Sequence, residues 1–382
     1  MHKRTSSLLA LAVLLFAAAC AQAPIATPTA SPEPVRENTP IPPSPTEEVQ
    51  QPFTITDALA REVTFAEPPQ RIVVAGRATT LLLNALYMYP EASQRLVAFE
   101  QRSQTASPFL VVANPNLGEK TTLEMNASAE QIAPLHPDAV LMKTYMRDSL
   151  GVTLEELDIP TVYLDLETPE SFLRDMAMLG QLFGNPERAE EITAFYQERL
   201  DRLETLMAGL TDEVKPSVLM MQYSDKGGEV AFNVPPASWL QTTMVTLAGG
   251  LPIWTEASET GGWTVVGFEQ IAAWNPDLIF VIYYSGDSTE IADMLAADAN
   301  WQALDAVWSG QLLGFPGDFL SWDQPDPRWI LGLSWLATQV QPTLTGEIDI
   351  MDEVQSFYSE MYLLSPEAIE ADVLPLVHGI HS

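Results

Sequence analysis

Basic residues are scarce in this chain: 18 Lys and Arg stand against 51 Asp and Glu, for a formal charge of −33. The placement of each cation is therefore informative. Beyond Arg202 only Lys215, Lys226 and Arg328 remain. Arg328 follows Pro325-Asp326-Pro327, which reads as a helix start with Asp326 as N-cap and Pro327 in the first turn. A guanidinium there opposes the positive end of the helix dipole. Two chemistries would account for it. One is an ion pair with Asp323 or Asp326; the other is an anion recognised through the planar guanidinium fork. Arg77 stands at a second helix start, where an anion is also favoured. Two such arginines on two halves of the chain point to an anionic ligand, or to an anionic part of one.

Other chemistries find less support. The chain carries no Gly-x-Ser-x-Gly elbow, no phosphate loop, no His-Glu-x-x-His and no paired cysteines. Carboxylates are so abundant that no pair is singled out by spacing. Beyond the first 20 residues the only histidines are His136, His378 and His381, a thin set for a metal held by protein alone. No cofactor is expected and no resident metal, although a bound ligand could itself carry iron or cobalt. Phosphate binding needs a basic stripe, so nucleic acid is not an expected partner.

The elements that must position these residues follow from periodicity. Residues 1–19 carry Lys3 and Arg4, then the apolar run LLALAVLLFAAA, and read as a signal peptide too short to span a bilayer. FAAAC resembles a lipobox, with Cys20, the chain's single cysteine, as the lipidated residue. Residues 20–52 hold nine of the 30 prolines and few large apolar side chains, as expected of a disordered tether. From Phe53 the pattern becomes α/β. A hairpin is followed by strands at 71–75, 96–99, near 142 and at 160–164, with helical periods between them. Residues 169–210 read as long helices with a start at Asn185-Pro186. The α/β rhythm then restarts, with strands expected at 217–222, 278–284 and 312–315 and helices at 239–248 and 329–340.

One phrase occurs twice. Residues 130–141 read EQIAPLHPDAVL and residues 269–280 read EQIAAWNPDLIF. Each copy combines a helix opened by acid, a proline that ends it, an aspartate turn and a buried strand. Two copies flanking a long helical segment suggest two lobes of one topology. With LAGGLP, the opening ITDALAREVTFAEPPQRIVV and the lipobox, this order of motifs resembles the substrate-binding lipoproteins of iron-siderophore, cobalamin and haem ABC importers. The resemblance covers about Phe53 to Tyr362. The turn Ala75-Gly76-Arg77-Ala78-Thr79-Thr80 departs from that family's usual Ser-Pro-Ser-Ala-Thr-Glu type turn.

The resemblance implies an α/β fold of two Rossmann-like lobes, 53–167 and 211–382, bridged by one long α-helix among the helices of 168–210, with a ligand cleft between them. Ligands of open α/β sheets lie beyond the carboxyl ends of the strands. Reading those ends off gives Arg77, Lys143, Tyr145 and Arg147 in the first lobe, and Tyr223, Tyr283, Tyr284, Trp322 and Arg328 in the second. For each aromatic, core packing is the alternative. The implied function is capture of an iron chelate, haem or corrinoid, or of a small oxyanion such as molybdate, without enzymatic turnover. The implied partners are a permease dimer with its ATPase, docked by acidic rims, and the membrane through the lipid on Cys20. The chain is expected to be a monomer on the outer face of the membrane.

Overall fold

The computed structural model describes residues 52–101, 108–258 and 261–380. Cys20, the signal peptide and the Pro-rich tether lie outside the described residues. Strands β1 (Phe53–Thr56) and β2 (Glu62–Phe65) pair antiparallel, with Phe53 opposite Phe65.

The first lobe is a five-stranded parallel sheet: β3 (Ile72–Val74), β4 (Leu96–Glu100), β5 (Thr121–Leu123), β6 (Ala139–Lys143) and β7 (Thr161–Leu164). Its order is β5-β4-β3-β6-β7. Chain order therefore reverses between β3 and β6, the switch point at which a crevice opens in doubly wound sheets. Both faces of the sheet are covered, so β3 and β6 are buried at every position. Ile72 and Val74 face one apolar cluster while Val73 faces another, as the two-residue strand period requires. Helix α1 (Thr79–Leu86) follows β3, and α2 (Pro108–Ala113) lies beyond β4.

Two helices lead out of this lobe. Thr168 caps α3 (Pro169–Phe183) in a capping box with Ser171, and Gly184 ends it at φ 67°. Asn185 then caps α4 (Pro186–Met207), its side chain accepting from Arg188 N at 3.0 Å. The helices cross closely at Gly180, where an added Cβ would meet the Ala189 Cβ at 2.4 Å.

The second lobe contains β8 (Ser217–Ser224), β9 (Ala231–Val234), β10 (Leu251–Pro252), β11 (Thr264–Val266), β12 (Leu278–Ile282) and β13 (Leu312–Gly314). The sheet runs β11-β9-β8-β12-β13, and β10 pairs with the start of β8. Strands β8, β10, β12 and β13 are parallel; β9 pairs antiparallel with β8, and β11 pairs antiparallel with β9 at the sheet edge. The switch point here lies between β8 and β12. Helices α5 (Leu240–Leu247), α6 (Phe268–Trp274), α7 (Ser288–Ala296), α8 (Trp329–Val340) and α9 (Ile350–Met361) complete the fold. One apolar cluster runs from Ile55 to Val373 through both lobes.

The repeated phrase has the same conformation twice. His136 and Asn275 both end a helical turn in the left-handed region, at φ 47° and 43°. The following aspartate ties the new strand to its neighbour. Asp138 Oδ2 accepts from Gln70 N and Arg71 N, both at 2.8 Å, beside β3. Asp277 Oδ2 accepts from Ser217 N at 2.7 Å and Ser217 Oγ at 2.6 Å, at the start of β8. Each copy therefore fixes the register of a switch-point strand pair.

Candidate functional site

At the first switch point β3 runs into Gly76, whose φ of 90° favours glycine. A Cβ there would also meet Met146 at 2.7 Å. Glu100, fully buried at the end of β4, accepts from Gly76 N and Asn126 N, each at 2.7 Å. One carboxylate thus joins the loops after β3 and β5. Thr79 Oγ1 donates to Gly76 O at 2.9 Å and closes the turn into α1. The result is a depression of about 330 Å³ lined by Arg77, Glu100, Asn126, Tyr145, Met146 and Ser149, among others. Arg77 is exposed, and no partner of its guanidinium is found among the described residues. The first turn of α1 carries no acid, so the helix dipole and Arg77 act in the same sense on an anion. Tyr145 is 54% exposed beside it.

A second depression, of about 530 Å³, opens at the carboxyl ends of β12 and β13. Tyr283 and Tyr284 form one side, and Phe319, Leu320 and Ser321 another. Tyr223 is buried behind them, edge-on to Tyr283 at 5.6 Å. The Tyr283 hydroxyl donates to Asp225 at 3.1 Å and the Tyr284 hydroxyl to Asp323 at 2.6 Å. Asp323 is fully buried and also accepts from Ser321 Oγ and Gln241 Nε2. Burial raises the Asp323 carboxyl above its ordinary value, although these three neutral donors pull it down. Trp263 stands edge-on to Tyr284 at 6.3 Å, and Trp239 edge-on to Trp263 at 5.5 Å.

The expected site residues thus divide. Arg77 and Tyr145 share the first depression; Tyr283 and Tyr284 share the second, with Tyr223 supporting them from behind. Arg147 is exposed near Asp148 and does not line the first depression. Three expected cleft residues are interior. Lys143 is fully buried, ion-paired to Glu167 at 2.5 Å and bonded to Asp165 O, so it braces the end of β6 against the loop after β7. Trp322 is fully buried. Arg328 has no exposed surface either and does not share a cleft with Arg77.

Arg328 Nη1 bonds Asp326 at 2.6 Å, and Nε bonds Tyr358 Oη at 2.8 Å and lies 3.1 Å from Asp318. Its guanidinium carbon sits 4.0 Å from the centre of the Phe109 ring, which belongs to the first lobe. Asp326 also accepts from Asn84 of α1 at 2.5 Å. Burial alone would lower the Arg328 pKa, but Asp326, Tyr358 and Asp318 drive it well upward. The ion-pair reading of this arginine is the one the structure displays, with Asp318 added. Phe109 also packs on Phe319 at 5.1 Å, closing the seam between the lobes at the wall of the second depression.

Glu100, Asn126, Gln241 and Phe319 were not singled out from the sequence, and Asp323 only as a possible partner of Arg328. Glu100 left one trace, a charge closing the apolar strand LVAFE. The others lie in loops or on helices with no local pattern.

The fold places this chain among known proteins. A Veillonella parvula periplasmic solute-binding protein superposes with a TM-score of 0.68 at 23% identity, over 85% of this chain and 97% of the other. The Haemophilus influenzae molybdate periplasmic binding protein MolA gives 0.67 at 19% identity, over 82% and 98%. A Ni-His complex of Helicobacter pylori CeuE gives 0.66 at 17% identity, over 85% and 99%. A curated relative, the iron-uptake system-binding protein of Bacillus subtilis, is 24% identical over 197 residues. That alignment spans 50% of this chain and 58% of the relative, less than two thirds of its length. The sequence profile of the periplasmic binding proteins matches residues 72–318, more than half of the chain and both switch points. With its paired Rossmann-like lobes, its bridging helices and that match, the chain belongs to the periplasmic binding protein family.

Proposed function

We propose that the chain captures a metal chelate (a ferric siderophore, haem or a corrinoid) between its lobes and delivers it to the permease of an ABC importer. The observation that carries this reading is Arg77. In a chain of 51 acids it is an exposed cation at a switch point, framed by a helix N-terminus and an exposed tyrosine. Carboxylates or phenolates on a large chelate suit that cation. The aromatic surface of Tyr145, Tyr283, Tyr284 and Phe319 suits the chelate's planar or apolar body. The iron-uptake relative supports the same class.

A small oxyanion such as molybdate is the second reading, favoured by Arg77 at the start of α1 and by the MolA likeness. Enclosing a bare dianion calls for several converging donors. With Arg328 and Lys143 neutralised internally, Arg77 is the one strong candidate in the first depression among the described residues.

The acidic rims would meet basic permease residues, and lipid on Cys20 would hold the protein at the outer face of the membrane. Native mass spectrometry against ferric siderophores, haem, corrinoids and molybdate tests the assignment. Retention of one chelate without conversion is the expected result. Retention of molybdate alone would replace the chelate reading, and turnover of any ligand would sink both.

A further inference from the structure

The second depression has a third wall that the family profile does not include. The profile ends at residue 318, whereas Pro375, Leu376 and His378 also line this space. The chain beyond α9 returns to the lobe and is stitched to it by an antiparallel bridge. Gly317 N donates to His378 O at 3.2 Å, and His378 N donates to Gly317 O at 2.9 Å. The backbone of His378 is therefore fixed at the edge of the depression, paired with Gly317, which lies two residues before Phe319.

The side chain is oriented as well. His378 Nδ1 lies 2.9 Å from Leu376 O. A carbonyl oxygen only accepts, so Nδ1 carries the proton. In the neutral ring Nε2 then keeps its lone pair. A histidine whose Nδ1–H is anchored on a backbone carbonyl is the arrangement by which proteins present Nε2 to a metal.

The Tyr283 and Tyr284 hydroxyls go to Asp225 and Asp323, the Ser321 hydroxyl goes to Asp323, and Ser288 Oγ accepts from Tyr283 N. Of the other polar groups lining the depression, Asp318 accepts from Tyr358 Oη and Phe319 N and Asp287 accepts from Thr289 N, while no hydrogen bond of the Gln324 side chain is found among the described residues. Among the described residues no three His, Cys, Asp or Glu side chains converge on a common metal position. One imidazole cannot hold a bare ion against water. It can complete the coordination of a metal that arrives with most of its ligands.

We propose that His378 Nε2 is a metal ligand for the cargo, occupying one exchangeable axial position of an otherwise chelated iron or cobalt. This rests on the chelate reading above and narrows it. Macrocycles with an open axial position, such as haem or an aquo-corrinoid, fit; a hexadentate ferric siderophore, whose positions are filled, does not. The step is a ligand exchange: the bond to axial water breaks, the Nε2–metal bond forms, and the metal keeps its oxidation state. Tyr283, Tyr284 and Phe319 would flank the macrocycle.

The test titrates the purified protein with ferric haem and with aquocobalamin, followed by visible absorbance. The expected result is binding of one probe with the band shift of nitrogen replacing water. His378→Ala should lose that shift and weaken binding on the order of tenfold or more. Added imidazole should restore the shift, and His136→Ala should leave it unchanged. The bridge to Gly317 uses only backbone atoms of His378, and matching thermal melts will verify that the variant is folded. An unchanged shift in His378→Ala, or binding of a probe by the wild type with its axial water retained, overturns the proposal. Binding of a hexadentate siderophore but of neither macrocycle overturns it while leaving the chelate reading intact. Binding of no chelate at all removes both.

Discussion

Replacing Arg328 by methionine isolates the buried charge cluster between the lobes. The guanidinium is fully buried and compensates two carboxylates, Asp326 at 2.6 Å and Asp318 at 3.1 Å, whose side chains are also buried. Methionine fills much of the same volume, so the lost packing is small. What remains is a pair of buried carboxylates with no cation. Breaking a buried pair in this way costs about 3–5 kcal/mol. Loss of the cation–π contact with Phe109 contributes up to about 2 kcal/mol more. Urea unfolding at neutral pH should therefore show a midpoint shift corresponding to at least about 3 kcal/mol.

A further expectation follows from the same cause. The combination with Asp318→Asn and Asp326→Asn should recover most of the loss, because replacing a whole buried ionic group is far cheaper than orphaning half of it. A single variant that unfolds within about 1 kcal/mol of wild type while losing ligand affinity would refute the interior role and return Arg328 to the binding site.

Arg77→Ala should do the reverse. It should weaken anionic ligand binding about tenfold, by loss of a charged hydrogen bond, and shift unfolding by less than about 0.5 kcal/mol; calorimetric titration and melts on one sample check both. Asp138→Ala and Asp277→Ala should each cost about 1–2 kcal/mol in urea melts, since each removes a carboxylate that accepts two hydrogen bonds at a switch-point strand. Clearly unequal losses would break the claimed equivalence of the two phrases. Asp323 keeps its proton to higher pH when folded than its ordinary 3.8. The folded state then binds more protons than the unfolded one, so this group's contribution to stability declines as pH rises from about 4 through the raised value. Asp323→Asn should flatten that part of the stability–pH curve relative to wild type.

The sequence carried the elements well where period and punctuation were strong. Helix α8 falls where WILGLSWLATQV placed it, and α4 starts at Asn185-Pro186. The short antiparallel additions β9 and β11 and the two-residue β10 escaped notice, because three or four residues do not establish a period. The candidate site was legible only in part. Strand ends are readable from apolar runs, which is why Arg77, Tyr145, Tyr283 and Tyr284 are expected at the depressions they line. Whether a side chain at such an end turns outward depends on partners far away in sequence. Lys143 is claimed by Glu167 and Asp165, and Arg328 by Asp318, Tyr358 and the ring of Phe109. Nothing local to WDQPDPRW announces a phenylalanine more than 200 residues earlier.

Arg188, at the start of α4, has a consequence for how the chain is made. Its guanidinium bonds Met88 O of the first lobe and the carbonyls of Glu360 and Met361 at the end of α9. Tyr362 likewise donates to Asn84 O of α1. A polypeptide is delivered amino end first, so the leading lobe emerges with these positions vacant and its share of the common apolar cluster uncovered. They are filled only when residues 350–362 arrive, some 170 residues after Arg188. Until then the nascent chain holds an adhesive half-core, a natural substrate for holding chaperones. Shortening the chain before α9 would damage the lobe made first as much as the one made last.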